Sequence, residues 1–279
     1  MSQVFLITGS SRGLGRAIAE AALAAGHRVA ATARRPEQLD DLATRYGDQI
    51  ATIALDVTDD QAAQAAIQTA LDRFGRLDVV VNNAGYGDVA SVEDVSLTAF
   101  KAQVDTNFYG VLHVTKAALP VLREQGSGHI IQVSSVGDRL STPGLSAYQS
   151  AKWAVAGFST VLAQEVAPFG IKVTVIEPGG MATDWAGSSM SIPPISEPYE
   201  QTVGVVARYL GANAGAEESI PAKVAHVVLD LAGRPNAPVR IVLGARAYRL
   251  AEEAAQALAA SDEEWREVSE SVSQADVSA

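Results

Sequence analysis

The 279-residue sequence predicts a single α/β domain, a parallel sheet covered on both faces by helices, and three observations carry that prediction. Short apolar runs at 4–8, 27–33, 50–55, 77–81, 128–134, 171–176 and 240–243 alternate with stretches of helical periodicity, the pattern of strands buried on both faces and joined by crossover helices. The first run ends in a glycine-rich turn that opens at once into an Ala-rich helical stretch reaching Ala25. Hydrophobic residues make up 48% of the chain and charged residues 19%, enough for one substantial core.

Composition excludes several function classes. With no cysteine there are no disulfides or thiolate metal ligands, and His27, His113, His129 and His226 form no ligand-spaced pair, so no metal is expected. A net charge of −11 argues against nucleic-acid or anionic-membrane partners. No run of about 18 apolar residues occurs, and the chain enters the strand-like VFLIT without a basic stretch and cleavage site, so a soluble, cytoplasmic protein is expected. Residues 251–279 carry eight acids against Arg266 alone.

Taken in order, the strand at 4–8 leads into Thr8-Gly-Ser-Ser-Arg-Gly-Leu-Gly15. Gly9, Gly13 and Gly15 let the backbone turn tightly and approach a ligand, and the N–H groups of the following helix start attract a pyrophosphate. The second strand ends at Ala33-Arg34-Arg35, and Pro36 suits the first turn of a helix. About twenty residues past the glycines an NAD-binding chain tends to place an acid for the ribose 2′-hydroxyl; here Arg34 and Arg12 offer cations for a 2′-phosphate instead. The third strand ends at Asp56-Val57, where Asp56 either accepts from an adenine amino group or holds its own loop, and a helix over 59–74 follows, capped by Thr58 or Asp59. The fourth strand runs into Asn82-Asn83-Ala84-Gly85, which supplies side-chain amides and a close backbone approach.

A long helical pattern over 96–123 contains Asn107, a poor interior residue unless its amide is used, so a local kink or a bound water is expected there. After the fifth strand comes Ser135, then a helix over 145–168 with Tyr148 and Lys152 one turn apart. A Tyr and a Lys four apart are common on any helix. Beside Ser135 they have a chemical reading: the ammonium lowers the phenol pKa toward neutrality, and the Ser135 hydroxyl donates to the oxygen that exchanges a proton with the phenol. The sixth strand ends at Glu177-Pro178-Gly179; residues 180–215 read as a mobile lid with a helix late in it, followed by helices at 221–232 and 246–271.

Five motifs in this order, TGSSRGLG at 8–15, NNAG at 82–85, the helical Asn107, Ser135 with YQSAK at 148–152, and PGGMAT at 178–183, give the chain a resemblance to the short-chain dehydrogenase/reductase family over roughly residues 3–244. The resemblance implies a Rossmann-type doubly wound sheet of about seven strands in residues 1–245; residues 246–279 extend past the family core and read from the sequence as an acidic helical extension. It implies Tyr148 as acid/base, Ser135 polarising the carbonyl, Lys152 binding nicotinamide ribose and Asn107 in a water-mediated proton relay. The expected cofactor-binding set is Gly9, Ser11, Arg12, Gly13, Leu14, Gly15, Arg34, Asp56, Val57, Asn83, Ala84, Gly85, Tyr148, Lys152, Pro178, Gly179, Met181 and Thr183, with NADP(H) as cofactor. A homodimer or homotetramer is expected, its subunits meeting through the helices at 96–123 and 145–168.

The expected reaction moves a hydride between nicotinamide and a neutral, mostly apolar ketone or secondary alcohol. From 179 to 207 there is no Lys or Arg, and Arg139 is the one cation near at hand for a charged substrate. Met181, Trp185, Met190, Ile192, Ile195 and Tyr199 of the lid, with Tyr86, Val89, Leu140 and Leu145, are candidates for the substrate pocket, about half of them serving only to pack the lid. The rival readings are an NADP-binding regulatory protein without turnover and an epimerase or dehydratase on the same fold.

Overall fold

The computed structural model describes residues 2–181, 190–212 and 219–273. Seven parallel strands, β1 (Val4–Ile7), β2 (Arg28–Ala33), β3 (Ile50–Ala54), β4 (Val79–Asn82), β5 (Gly128–Val133), β6 (Ile171–Pro178) and β7 (Arg240–Leu243), stand in the order β3-β2-β1-β4-β5-β6-β7. The chain builds outward from β1 to β3, then returns to pair β4 with the other side of β1. That reversal leaves a crevice above the carboxyl ends of β1 and β4, where an open α/β sheet binds its ligand.

Period-two alternation along the strands divides the core into two layers. Phe5 and Ile7 point to the face covered by α1 (Gly13–Ala24), α2 (Asp40–Tyr46) and α8 (Pro221–Gly233), packing with Ile18, Leu42 and Val228. Val4 and Leu6 point to the face covered by α3 (Asp60–Phe74), α5 (Gly110–Gln125) and α6 (Ser146–Val166), packing with Ile67, Leu122 and Leu162. Asp59 caps α3, its Oδ1 accepting from the N–H groups of Gln61 at 2.9 Å and Ala62 at 3.0 Å, and Gly75 in the left-handed region ends the helix.

The continuous helix expected over 96–123 is broken. α4 (Leu97–Val104) gives way to a single wide turn, Asp105–Tyr109, before α5 begins. Such a turn inserts one residue and leaves backbone carbonyls free for other donors. Asn107 sits in it, so the expected distortion occurs at the expected residue.

The lid over 190–199 is pinned to the loop after β4 by that loop's acids. Asp88 accepts from the Ser191 N–H at 2.9 Å, Asp94 from the Ser196 hydroxyl at 3.1 Å and Glu93 from the Tyr199 hydroxyl at 2.7 Å. The late helix is α7 (Val203–Ala212). At the end of the chain α9 (Ala245–Glu264) docks its first two turns through Ala247 and Ala251, and α10 (Arg266–Glu270) is exposed with the rest of the arm.

Candidate active site

A cleft of about 710 Å³ opens above the switch point between β1 and β4. Its floor is built by a reciprocal lock between the two strand ends: the Thr8 hydroxyl accepts from the N–H groups of Asn83 at 2.9 Å and Ala84 at 3.0 Å, and the Asn83 amide donates to the Thr8 carbonyl at 2.9 Å. Gly9 holds a φ of 68°, and a Cβ there would lie 3.0 Å from Ala84 Cα. Gly15 is tighter still, since a Cβ would meet the Gly9 carbonyl oxygen at 2.3 Å. It therefore makes no part of the cleft wall and instead lets α1 seat against the turn.

Gly9, Ser11, Arg12, Gly13 and Leu14 line one end of the cleft. Arg34, Asp56, Val57, Asn83, Ala84, Gly85, Asn107, Tyr148, Lys152 and Met181 line the same cleft. Most of the expected cofactor set thus shares one cavity. Arg12 and Arg34 are both exposed at its rim. Asp56 holds its own loop, its Oδ1 accepting from the Thr58 N–H at 3.0 Å and hydroxyl at 2.8 Å; these bonds hold its carboxyl below the usual range. Pro178 and Gly179 lie outside the cavity wall, Gly179 packing toward Ala247, and Thr183 falls outside the described residues. Arg35, Gln38 and Tyr86 also line the cleft and were not anticipated as cofactor contacts. Arg35 adjoins Arg34 in sequence, and Tyr86 was expected in the substrate pocket instead.

Ser135 precedes a tight turn, Val136–Asp138, its Oγ accepting from the Gly137 N–H at 3.0 Å. Tyr148 and Lys152 are both buried on α6, facing the end of β5. The Lys152 ammonium donates to the Val133 carbonyl at 2.8 Å and lies 5.6 Å from the centroid of the Tyr148 ring. The expected lowering of the phenol pKa is therefore not found. Burial pushes Tyr148 up to about 12, a hydrogen bond with Ser135 pulls it back in part, and the charge of Asp138 raises it. Burial pushes Lys152 down to about 8, and Asp138 opposes that shift.

Asn107 is fully buried and fully used: its amide donates to the carbonyls of Tyr86 at 2.8 Å and Gln103 at 2.9 Å, and its Oδ1 accepts from the Tyr86 N–H at 3.2 Å. It fixes the loop that carries Gly85, where a Cβ would lie 2.5 Å from the Asn107 oxygen and 3.7 Å from Lys152 Nζ. Of the expected pocket residues, Val89 and Leu145 form a small apolar cluster with Met190, Ile195 and Tyr199 that fastens the lid, and Leu140 packs toward Ala247 and Ala251. Tyr86 and Met181 face the cleft, and Trp185 lies outside the described residues. Arg139 already has an anionic partner, its Nε donating to the buried Glu177 at 2.5 Å.

Residues 3–191 match the family model for short chain dehydrogenase. The chain belongs to that family. Within the short-chain dehydrogenases, it is 57% identical over 270 residues to oxidoreductase BOA17 of Botryotinia fuckeliana, covering 96% of this chain and 98% of that protein. A short-chain dehydrogenase from Streptomyces avermitilis superposes with a TM-score of 0.91 at 37% identity, over 98% of this chain and 100% of that one. The 3-ketoacyl-(acyl-carrier-protein) reductase of Brucella melitensis, solved with NADH, superposes with a TM-score of 0.74 at 25% identity, over 88% and 98% of the two chains. The protein is an oxidoreductase of the short-chain dehydrogenase family, with the seven-stranded parallel sheet of its structural neighbours.

Proposed function

We propose that this short-chain dehydrogenase is an NADP(H)-dependent oxidoreductase for a neutral, mostly apolar ketone or secondary alcohol, with Tyr148 as the proton donor and acceptor. The observation that carries the reading is that Tyr148, Lys152 and Asn107 line the same cleft as the glycine turn of Gly9 and Gly13. The residues present suit a dinucleotide: two glycines with positive φ, no acid in the first turn of α1, and three arginines lining the cleft. A nicotinamide dinucleotide bound there would supply or accept the hydride. The turn and the start of α1 would hold its pyrophosphate, and Lys152 its nicotinamide ribose. Arg12 and Arg34, with Arg35 beside them and Ala33 where an acid would sit, favour a 2′-phosphate over a bare hydroxyl.

Reduction begins with the phenol of Tyr148 in its protonated form, which its burial secures well past neutral pH. Tyr148 passes that proton to the carbonyl oxygen while the Ser135 hydroxyl hydrogen-bonds the same atom. Asn107 holds the Gly85 loop near Lys152, and the family resemblance gives it a place in a proton relay carried by water. The lid contributes no cation from 179 to 207, and Arg139 is committed to Glu177, so a carboxylate or phosphate on the substrate would be desolvated without a partner there. The test is to incubate the protein with NADPH and a panel of aryl, alicyclic and keto-acid substrates and follow loss of reduced-nicotinamide absorbance. Turnover of the neutral ketones is the expected result; faster turnover of the keto acids, or none of any ketone, would overturn the reading.

A further inference from the structure

Beyond the cleft wall, two carboxylates are sunk in the fold beside Ser135. Asp138 is 2% exposed and Glu177 is fully buried. Arg240 of β7 bridges them, donating from Nη2 to Asp138 Oδ1 at 2.8 Å and from Nε to Glu177 Oε1 at 2.5 Å, while Arg139 takes the other Glu177 oxygen. The second oxygen of Asp138 accepts from the Ser134 hydroxyl at 2.6 Å. Each acid sits at a strategic place in the chain: Asp138 closes the turn that follows Ser135, its N–H bonded to the Ser135 carbonyl at 2.9 Å, and Glu177 directly precedes Pro178.

Stability alone does not account for such a cluster, since buried ion pairs are often matched or exceeded by apolar residues of the same volume. What an apolar replacement would lack is a fixed negative charge near the reacting groups. We propose that Asp138 is a positioning residue of the reaction, whose buried carboxylate, fixed by Arg240 and Ser134, acts through space to keep the Tyr148 phenol protonated and the Lys152 ammonium charged, setting the site to donate a proton. The proposal rests on the reading of Tyr148 as the proton donor.

Asp138 is joined to Arg240 of β7 and, through that guanidinium, to Glu177 of β6 and its partner Arg139. Toward α6, the Ser134 hydroxyl that donates to Asp138 lies 3.5 Å from the Lys152 carbonyl oxygen, and the Lys152 ammonium bonds the Val133 carbonyl one residue before Ser134. The carboxylate therefore sits against the turn that carries Tyr148 and Lys152. The two arginines have side chains about one-third exposed, at 32% and 33%, so water screens the cations more than it screens the fully buried acid. Burial pushes the Asp138 carboxyl up to about 6, which still leaves it ionised at neutral pH. Burial is the larger influence on both α6 groups, raising the phenol and lowering the ammonium; the Asp138 charge adds to the first shift and opposes the second.

The experiment is the pH profile of kcat/KM for alcohol oxidation, the direction that requires Tyr148 to accept a proton, in wild type, Asp138→Asn and Ser134→Ala. Asp138→Asn is expected to move the rising limb to lower pH by about half a unit or more, the scale of a single neighbouring charge. Ser134→Ala removes the hydrogen bond and keeps the charge, so its limb should coincide with wild type. A limb unmoved by Asp138→Asn, or moved equally by Ser134→Ala, overturns the proposal; a merely structural role would lower rates without shifting the limb. If Asp138→Asn does not fold, the double variant Asp138→Asn/Arg240→Gln removes the acid together with its partner cation, and because that cation is the better screened of the two, the limb should move in the same direction by a smaller amount; no movement there overturns the proposal. If wild type oxidises no alcohol, the proposed function fails, and the tyrosinate difference spectrum of each form against its Tyr148→Phe counterpart still tests Asp138 by the same displacement.

Discussion

Tyr148 and Lys152 show how a pair one helical turn apart can share a face without sharing a hydrogen bond. The lysine reaches the Val133 carbonyl, and the phenol lies in a buried site that favours its neutral form. A phenol fixed in that form is a proton donor whose removal costs rate more than binding. Tyr148→Phe is therefore expected to lower kcat by about 10²–10⁴-fold, the usual contribution of a positioned acid, while the dissociation constant of NADPH measured by fluorescence titration changes by less than about twofold. Strong turnover in the variant would remove Tyr148 from the proton path. Arg12 and Arg34 at the cleft are exposed, so their preference for a phosphate should be real but screened. Wild type is expected to favour NADPH over NADH in kcat/KM, less so at high salt, and Arg34→Asp to reverse the ratio; a wild type indifferent to the phosphate would sink that assignment.

At the level of elements, the seat of α1 against the glycine turn depends on a missing side chain. A Cβ at Gly15 would stand 2.3 Å from the Gly9 carbonyl oxygen and 2.4 Å from the Asn83 amide nitrogen, and the first of these is backbone that cannot swing away. Gly15→Ala is expected to cost about 1–3 kcal/mol in denaturant unfolding through overpacking, and to weaken NADPH binding because α1 must shift from the turn. An unchanged midpoint and affinity would show that the turn has slack. The glycine turn, the seven strands and the break at Asn107 were all legible in the sequence, because each follows from local periodicity or from a residue type that only one backbone setting suits. Less legible were contacts between distant segments. Arg240 meets Asp138 across 102 residues, and Glu93 meets Tyr199 across 106, so no window of sequence shows either partner the other. For the same reason Arg139 read as a free cation until its acid on β6 came into view.

For the molecule as a whole, Leu97, Tyr109, Trp153, Val161 and Phe169 leave large apolar side chains exposed along α4 to α6 and the turns beside them, which suits the proposed self-association. Light scattering is expected to give a dimer or tetramer, and Trp153→Glu to shift it toward monomer; a wild-type monomer would contradict the proposal. A different global property follows from His129, buried at 1% exposure on β5. Its Nε2 meets the Thr174 oxygen at 2.9 Å, and because that hydroxyl donates onward to the Pro238 carbonyl at 2.7 Å, the ring must carry its proton on Nε2. Nδ1 has no hydrogen-bond partner among the described residues, so a second proton would be buried unpaired. Burial, aided by the charge of Lys172, depresses His129 to about 3, against 6.5 for an exposed imidazole. Between those values the unfolded chain binds a proton that the folded chain refuses, so this contribution to stability is whole above about pH 6.5 and is lost as pH falls toward 3, at about 1.4 kcal/mol per unit. Asp138 works in the opposite sense, since its raised pKa makes the folded state gain stability as pH falls from about 6 toward 4. His129→Gln keeps a donor for Thr174 and removes the titration. The loss of Tm between about pH 7 and about pH 4 should accordingly be smaller in His129→Gln than in wild type, and parallel curves for the two proteins would show that acid unfolding is governed elsewhere.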